Sequence, residues 1–88
     1  MEHESHPDII KRLKRANGHL ASVIEMIESG RPCVDLAQQL HAVESAVTNA
    51  KLALIHDHID HCLADVAGRH GPSPSAALEE FRQLAKYL

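Results

Sequence analysis

Cys33, His58 and Cys62 carry the side chains that bind soft and borderline metal ions, and two of them stand at a spacing a helix can use. His58 and Cys62 are four residues apart, so on a helix they lie one turn apart on the same face and can reach one ion. Cys33 lies about 37 Å from His58 along a straight helix at 1.5 Å per residue, too far to join that pair within its own chain. If two copies of the helix pack antiparallel, Cys33 of one protomer falls beside the second-half ligands of the other. Two-fold symmetry then gives two equivalent sites. His61, three residues after His58, is a candidate additional ligand, as are His3 and His6 near the amino end.

The run from His56 to His61 spells H-x-H-x-D-H, which resembles the zinc loop of metallo-β-lactamase-type hydrolases. That loop follows a strand of a large sandwich fold and is completed by ligands far along the chain. Here the flanking pattern is helical, and a helix turns His56 and His58 about 200° apart, so they cannot share a metal. Nothing else supplies an open metal position beside a general base, and no enzymatic activity or small organic substrate is expected.

The elements that must position these residues follow from apolar spacing. Ile9, Leu13, Ala16, Leu20, Val23 and Ile27 form one helical stripe, predicting a helix near 8–29 after a mobile tail over 1–7. Pro32 suits the first turn of a second helix, where its missing N–H would have no partner. Leu36, Leu40, Val43, Val47, Ala50 and Leu54 continue the pattern, with Leu52, Ile55, Ile59 and Val66 as a second stripe, and predict a helix near 33–67. Such a helix is about 50 Å long, more than one small chain can bury against itself, so it needs a partner. "GRHGPSPS" reads as a turn, and Ser73 or Ser75 could cap a third helix near 74–87 that carries Leu78, Phe81, Leu84 and Leu88. With 88 residues, Phe81 and Tyr87 as the only aromatics, and no strand pattern, the reading is one all-α domain over 1–88. No apolar run approaches a membrane span, and the cytoplasm is the expected location. Net charge is −3, yet Lys11, Arg12, Lys14 and Arg15 fall in a segment, Ile9 to Leu20, that holds no acid.

Taken with "RLKRANGHL" ahead, "CVDLAQQLHAVESAV" between and "AALEEF" behind, the three ligand positions resemble the CsoR/RcnR family of bacterial metal-sensing repressors over nearly the whole chain. The resemblance implies a three-helix protomer, an antiparallel four-helix-bundle dimer, a tetramer of two dimers, and operator DNA that is bound without metal and released with it. Cys33, His58 and Cys62 match the ligands of the family's Cu(I) branch. Glu80 matches a glutamate that touches a ligand rather than the metal and couples the site to DNA. The chain departs from that branch at Pro32, where a tyrosine is usual. Ni(II) and Co(II) members add the amino terminus and a nearby histidine, for which His3 and His6 are available. Formaldehyde-sensing members use an amino-terminal proline beside the cysteine, and Met1-Glu2 supplies none. A family arginine on the long helix falls at Asn49, with Lys51 nearby.

The expectation is therefore a metal-responsive transcriptional repressor, with Cu(I) the first choice of metal, Ni(II) or Co(II) the next, and a repressor responsive to formaldehyde or sulfur species the last. Lys11, Arg12, Lys14, Arg15 and Lys51 would meet the DNA, holding phosphates while sequence is read through groove shape. A metal-buffering helical bundle is the competing class, and it would not need the basic first helix.

Overall fold

Three helices account for the regular structure of the described residues: α1 (His6–Glu28), α2 (Cys33–Gly68) and α3 (Pro74–Ala85). They are seen in a computed structural model that describes residues 6–68 and 74–88, with side chains described over 6–61 and 75–88. Among these residues there is no strand, as the sequence pattern predicts.

Helix α1 begins two residues ahead of the predicted start, so His6 and Pro7 leave the predicted tail and join the first turn. Proline is tolerated there because the first N–H groups of a helix have no intrahelical partner, and Asp8 in the same turn complements the positive end of the helix dipole. The helix ends in a Schellman motif. Arg31 N–H donates to Met26 C=O at 3.0 Å and Gly30 N–H to Ile27 C=O at 3.1 Å. Gly30 takes φ of 80°, the left-handed conformation that closes this motif and that side chains with a Cβ resist. Pro32 sits one position earlier than the first-turn placement predicted for it. Its carbonyl accepts the Leu36 N–H at 3.1 Å, which makes Pro32 the capping residue and Cys33 the first residue of α2.

Helix α2 has 36 residues and runs nearly the length of a body 57 Å long. Helix α1 packs antiparallel on its first half, and His19 Nε2 lies 2.6 Å from Gln39 Oε1 across the hairpin. That contact brings Val23 near the level of Leu36, Ala16 near Val43 and Ile9 near Ala50. Ile9, Ala16, Val23, Val43 and Ala50 are buried, each set recurring every seven residues. Helix α3 folds back on the second half of α2, where Ile55 is buried. Proline opens α3 at Pro74. Ser75 lies inside the helix and so is not its cap, and Ser73 lies outside the described residues.

The continuous stripe predicted on α1 divides in the structure. Leu13, Leu20 and Ile27 are exposed, together with Ile10 and Ile24, and on α2 Leu40, Val47 and Leu54 are exposed at 44, 46 and 42%. Two helices cover only a narrow strip of each other, and a wider apolar stripe is buried only when further helices complete a bundle. No described helix is long and apolar enough to cross a membrane.

Candidate metal centre

The Schellman turn and the Pro32 cap place Cys33 at the exposed start of α2. Arg31 and Asp35 bracket it with an ion pair of 3.5 Å. His58 lies in the second half of the same unbroken helix, about 37 Å away by helical rise. The two cannot share an ion within one protomer. Among the described residues of one chain, no three His, Cys, Asp or Glu side chains converge on a metal-sized space.

His58 is partly buried, its side chain 27% exposed, and its Nε2 lies 2.6 Å from Glu80 Oε1 on α3. The sequence suggests a role for Glu80 only through family resemblance, and the structure brings the carboxylate to the imidazole of the same protomer. The α2–α3 packing that makes this contact is long-range in sequence, so no local spacing reveals it. The backbone of Cys62 follows one turn later in α2, and its side chain lies outside the described residues. His61 is half-buried on α2, whereas His56 and Asp60 are exposed. His3 lies outside the described residues. His6, half-buried at the start of α1, falls near the level of residue 52, about 9 Å short of His58 along the axis.

Lys11 and Lys14 are exposed on the side of α1 roughly opposite the buried Ile9, Ala16 and Val23, and Arg15 is exposed on the flank, about 100° round the helix from Ala16. Arg12 differs from its neighbours. Asp8, one turn earlier and just ahead of the acid-free segment, holds its guanidinium at 3.1 Å. The cationic face is thus narrower than the sequence predicts, because an i,i+4 carboxylate offsets one of its four charges. Lys51 is exposed on α2, near the level of Pro7 and Asp8 in the hairpin register, and Asn49 is exposed beside it.

Residues 5–87 match the metal-sensitive transcriptional repressor family. The copper-sensing transcriptional repressor CsoR of Bacillus subtilis (strain 168) is 38% identical over 80 residues, covering 89% of this chain and 79% of the relative. CsoR of Mycobacterium tuberculosis (strain ATCC 25618 / H37Rv) is 35% identical over 79 residues, and there the match covers 89% of this chain but 64% of the longer relative. Among solved structures, the nickel-responsive transcriptional regulator InrS superposes with a TM-score of 0.85 at 26% identity, over 100% of this chain and 98% of that one.

Proposed function

The chain belongs to the metal-sensitive transcriptional repressor family, and we propose that it holds operator DNA when metal-free and releases it when Cu(I) binds at a site shared by two protomers. The exposed apolar column on α2 carries this reading. Leu40, Val47 and Leu54 are spaced by seven, so Leu40 and Leu54 stand symmetrically about Val47. An antiparallel copy of α2 with its two-fold axis at Val47 pairs Leu40 with the partner's Leu54 and buries the column on itself. The same register sets Cys33 level with position 61 of the partner. It then lies about 1.5 Å along the axis from the level of the partner's Cys62 and about 4.5 Å from that of the partner's His58.

The donor set suits a soft ion. Two thiolates and one imidazole satisfy Cu(I) in trigonal geometry. With the Glu80 carboxylate 2.6 Å from Nε2 of His58, a proton held on that nitrogen would leave Nδ1 to present its lone pair to a metal. Metal held there would tie α2 of one chain to α2 of the other. Glu80 links His58 to α3, so a change in the orientation of the ring reaches the third helix directly. Lys11, Lys14 and Arg15 supply phosphate contacts, with Lys51 extending the surface and Arg12 contributing less because of Asp8. Further exposed apolar residues, among them Leu13, Leu20, Ile24 and Ile27 on α1 with Leu78 and Phe81 on α3, supply the surface for a tetramer of two dimers. Release needs the metal to favour one quaternary arrangement over the other, by about 1–3 kcal/mol for a typical coupling. The cytoplasm, where operator DNA lies, is the site of action.

The similarity to InrS, a nickel-responsive regulator, favours a second reading in which Ni(II) or Co(II) recruits His3 or His6 as a further ligand. Anisotropy of a labelled duplex from the gene's own promoter separates the readings. Metal-free protein should bind, and about one equivalent of Cu(I) per protomer should release the DNA, with little change after deletion of residues 1–6. Response to Ni(II) alone, lost on that deletion, favours the second reading. No DNA binding by the metal-free protein favours a metal buffer and overturns both.

A further inference from the structure

We propose that His61 is a fourth protein ligand of the shared site, which lets this chain hold a tetrahedral divalent ion of the zinc and cobalt class without any donor from the amino-terminal segment. The proposal rests on the antiparallel register argued above. Positions 33, 40, 47, 54 and 61 are one heptad column of α2. Its three middle members are the exposed apolar residues Leu40, Val47 and Leu54, and its two ends are Cys33 and His61. A two-fold axis at Val47 exchanges the ends of the column, so His61 is the histidine of α2 most nearly level with the partner's Cys33. His58 stands about 4.5 Å farther along the axis.

The local geometry of α2 supports the same assignment. His61 is three residues from His58, about 60° around the helix, so the two rings share a face. Donors at i and i+3 on one helix, completed from a facing helix, are a recurrent way of building metal sites inside helical bundles. His61 is half-buried within the protomer, while the neighbouring His56 and Asp60 are exposed. Asp57 is also half-buried and sits one turn before His61 on the same face. At that i,i+4 spacing a carboxylate can reach the other ring N–H of a metal-bound His61. The completed set is two thiolates and two imidazoles, the closed tetrahedral donor set of structural zinc sites. A soft monovalent ion uses three of these donors, and a divalent ion uses all four.

Co(II) is the probe, added to the reduced full-length protein. Bound to the intact protein it should give thiolate-to-metal charge transfer and the intense ligand-field bands of tetrahedral coordination, unchanged when residues 1–6 are deleted. His61→Ala and His61→Gln should keep the charge transfer, lose intensity in the ligand-field bands, and lower Co(II) affinity by at least about tenfold. Unchanged helical content by circular dichroism assigns that loss to the site, and His56→Ala should match the intact protein. Intact spectra and affinity in both His61 variants, with thiolate charge transfer weakened by Cys33→Ala, would overturn the role of His61 and leave the shared site standing. Charge transfer unaffected by Cys33→Ala would overturn the shared site, and this proposal with it. Loss of tetrahedral bands on deleting residues 1–6 would place the fourth donor there instead.

Discussion

In a background with Cys33→Ser and Cys62→Ser, a Val47→Cys chain should cross-link to a second copy of itself, and a Leu40→Cys chain should not. Facing helices lie about 8–10 Å apart axis to axis. With Cα atoms on a cylinder of radius about 2.3 Å, Cα atoms that face each other on the two-fold axis are about 3.5–5.5 Å apart. That range overlaps the window of about 4.4–6.8 Å that a disulfide spans. Residue 40 stands opposite the partner's residue 54, so the two copies of residue 40 are separated by about 21 Å along the axis. No side-chain rotation closes that gap. Mixing Leu40→Cys chains with Leu54→Cys chains should restore cross-linking, because the register pairs those positions. Mild oxidation followed by a non-reducing gel reads all three cases. Efficient self-cross-linking of Leu40→Cys, or none by Val47→Cys, would refute the register.

Lys14→Ala and Arg15→Ala should each weaken operator binding and flatten its log–log salt dependence by about 0.9 for every phosphate no longer neutralised, with metal affinity retained; unchanged salt slopes would remove α1 from the interface. Glu80→Gln keeps the shape of the contact at His58 but removes the carboxylate, and should lower metal affinity about 10–100-fold in a chelator competition. Equal affinity would leave Glu80 with no part in preparing the ligand. Ile55→Ala, at a buried position in the second half of α2, should cost about 2–5 kcal/mol in denaturant unfolding, and a loss well under 1 kcal/mol would mean that Ile55 is not packed in solution.

The periodicity of the apolar residues is enough to read three helices, because Gly30, Pro32 and the "GRHGPSPS" segment punctuate otherwise unbroken patterns. It also marks Leu13, Leu20, Leu40, Val47 and Leu54 as apolar stripe positions. What it does not show is which neighbour covers them. That depends on how wide a strip one helix can bury on another, and the protomer leaves those five exposed. The metal-binding residue types are legible from Cys33, His58 and Cys62 because helical spacing and chain length are local quantities. The Glu80 contact with His58 is not, since it arises from the return of α3 along α2. The Asp8–Arg12 pair has a visible i,i+4 spacing, but its acid stands one residue ahead of the cationic segment and so escapes a count confined to that segment. His6 reads as tail because it precedes the first apolar residue, and the structure extends the helix through it.

The central claim is that each metal site is assembled from two chains, and complementation of two dead variants tests it most directly. Cys33→Ala removes the first-half ligand from a chain, and Cys62→Ala removes a second-half ligand. In a mixed dimer both lesions fall in one site, and the other site receives Cys33 from one chain with His58 and Cys62 from the other. Each variant alone should bind no Cu(I) tightly, and the mixed dimer should bind one equivalent, measured by competition against a chelator after unfolding and joint refolding. A mixture that binds no more than either variant alone would contradict the account.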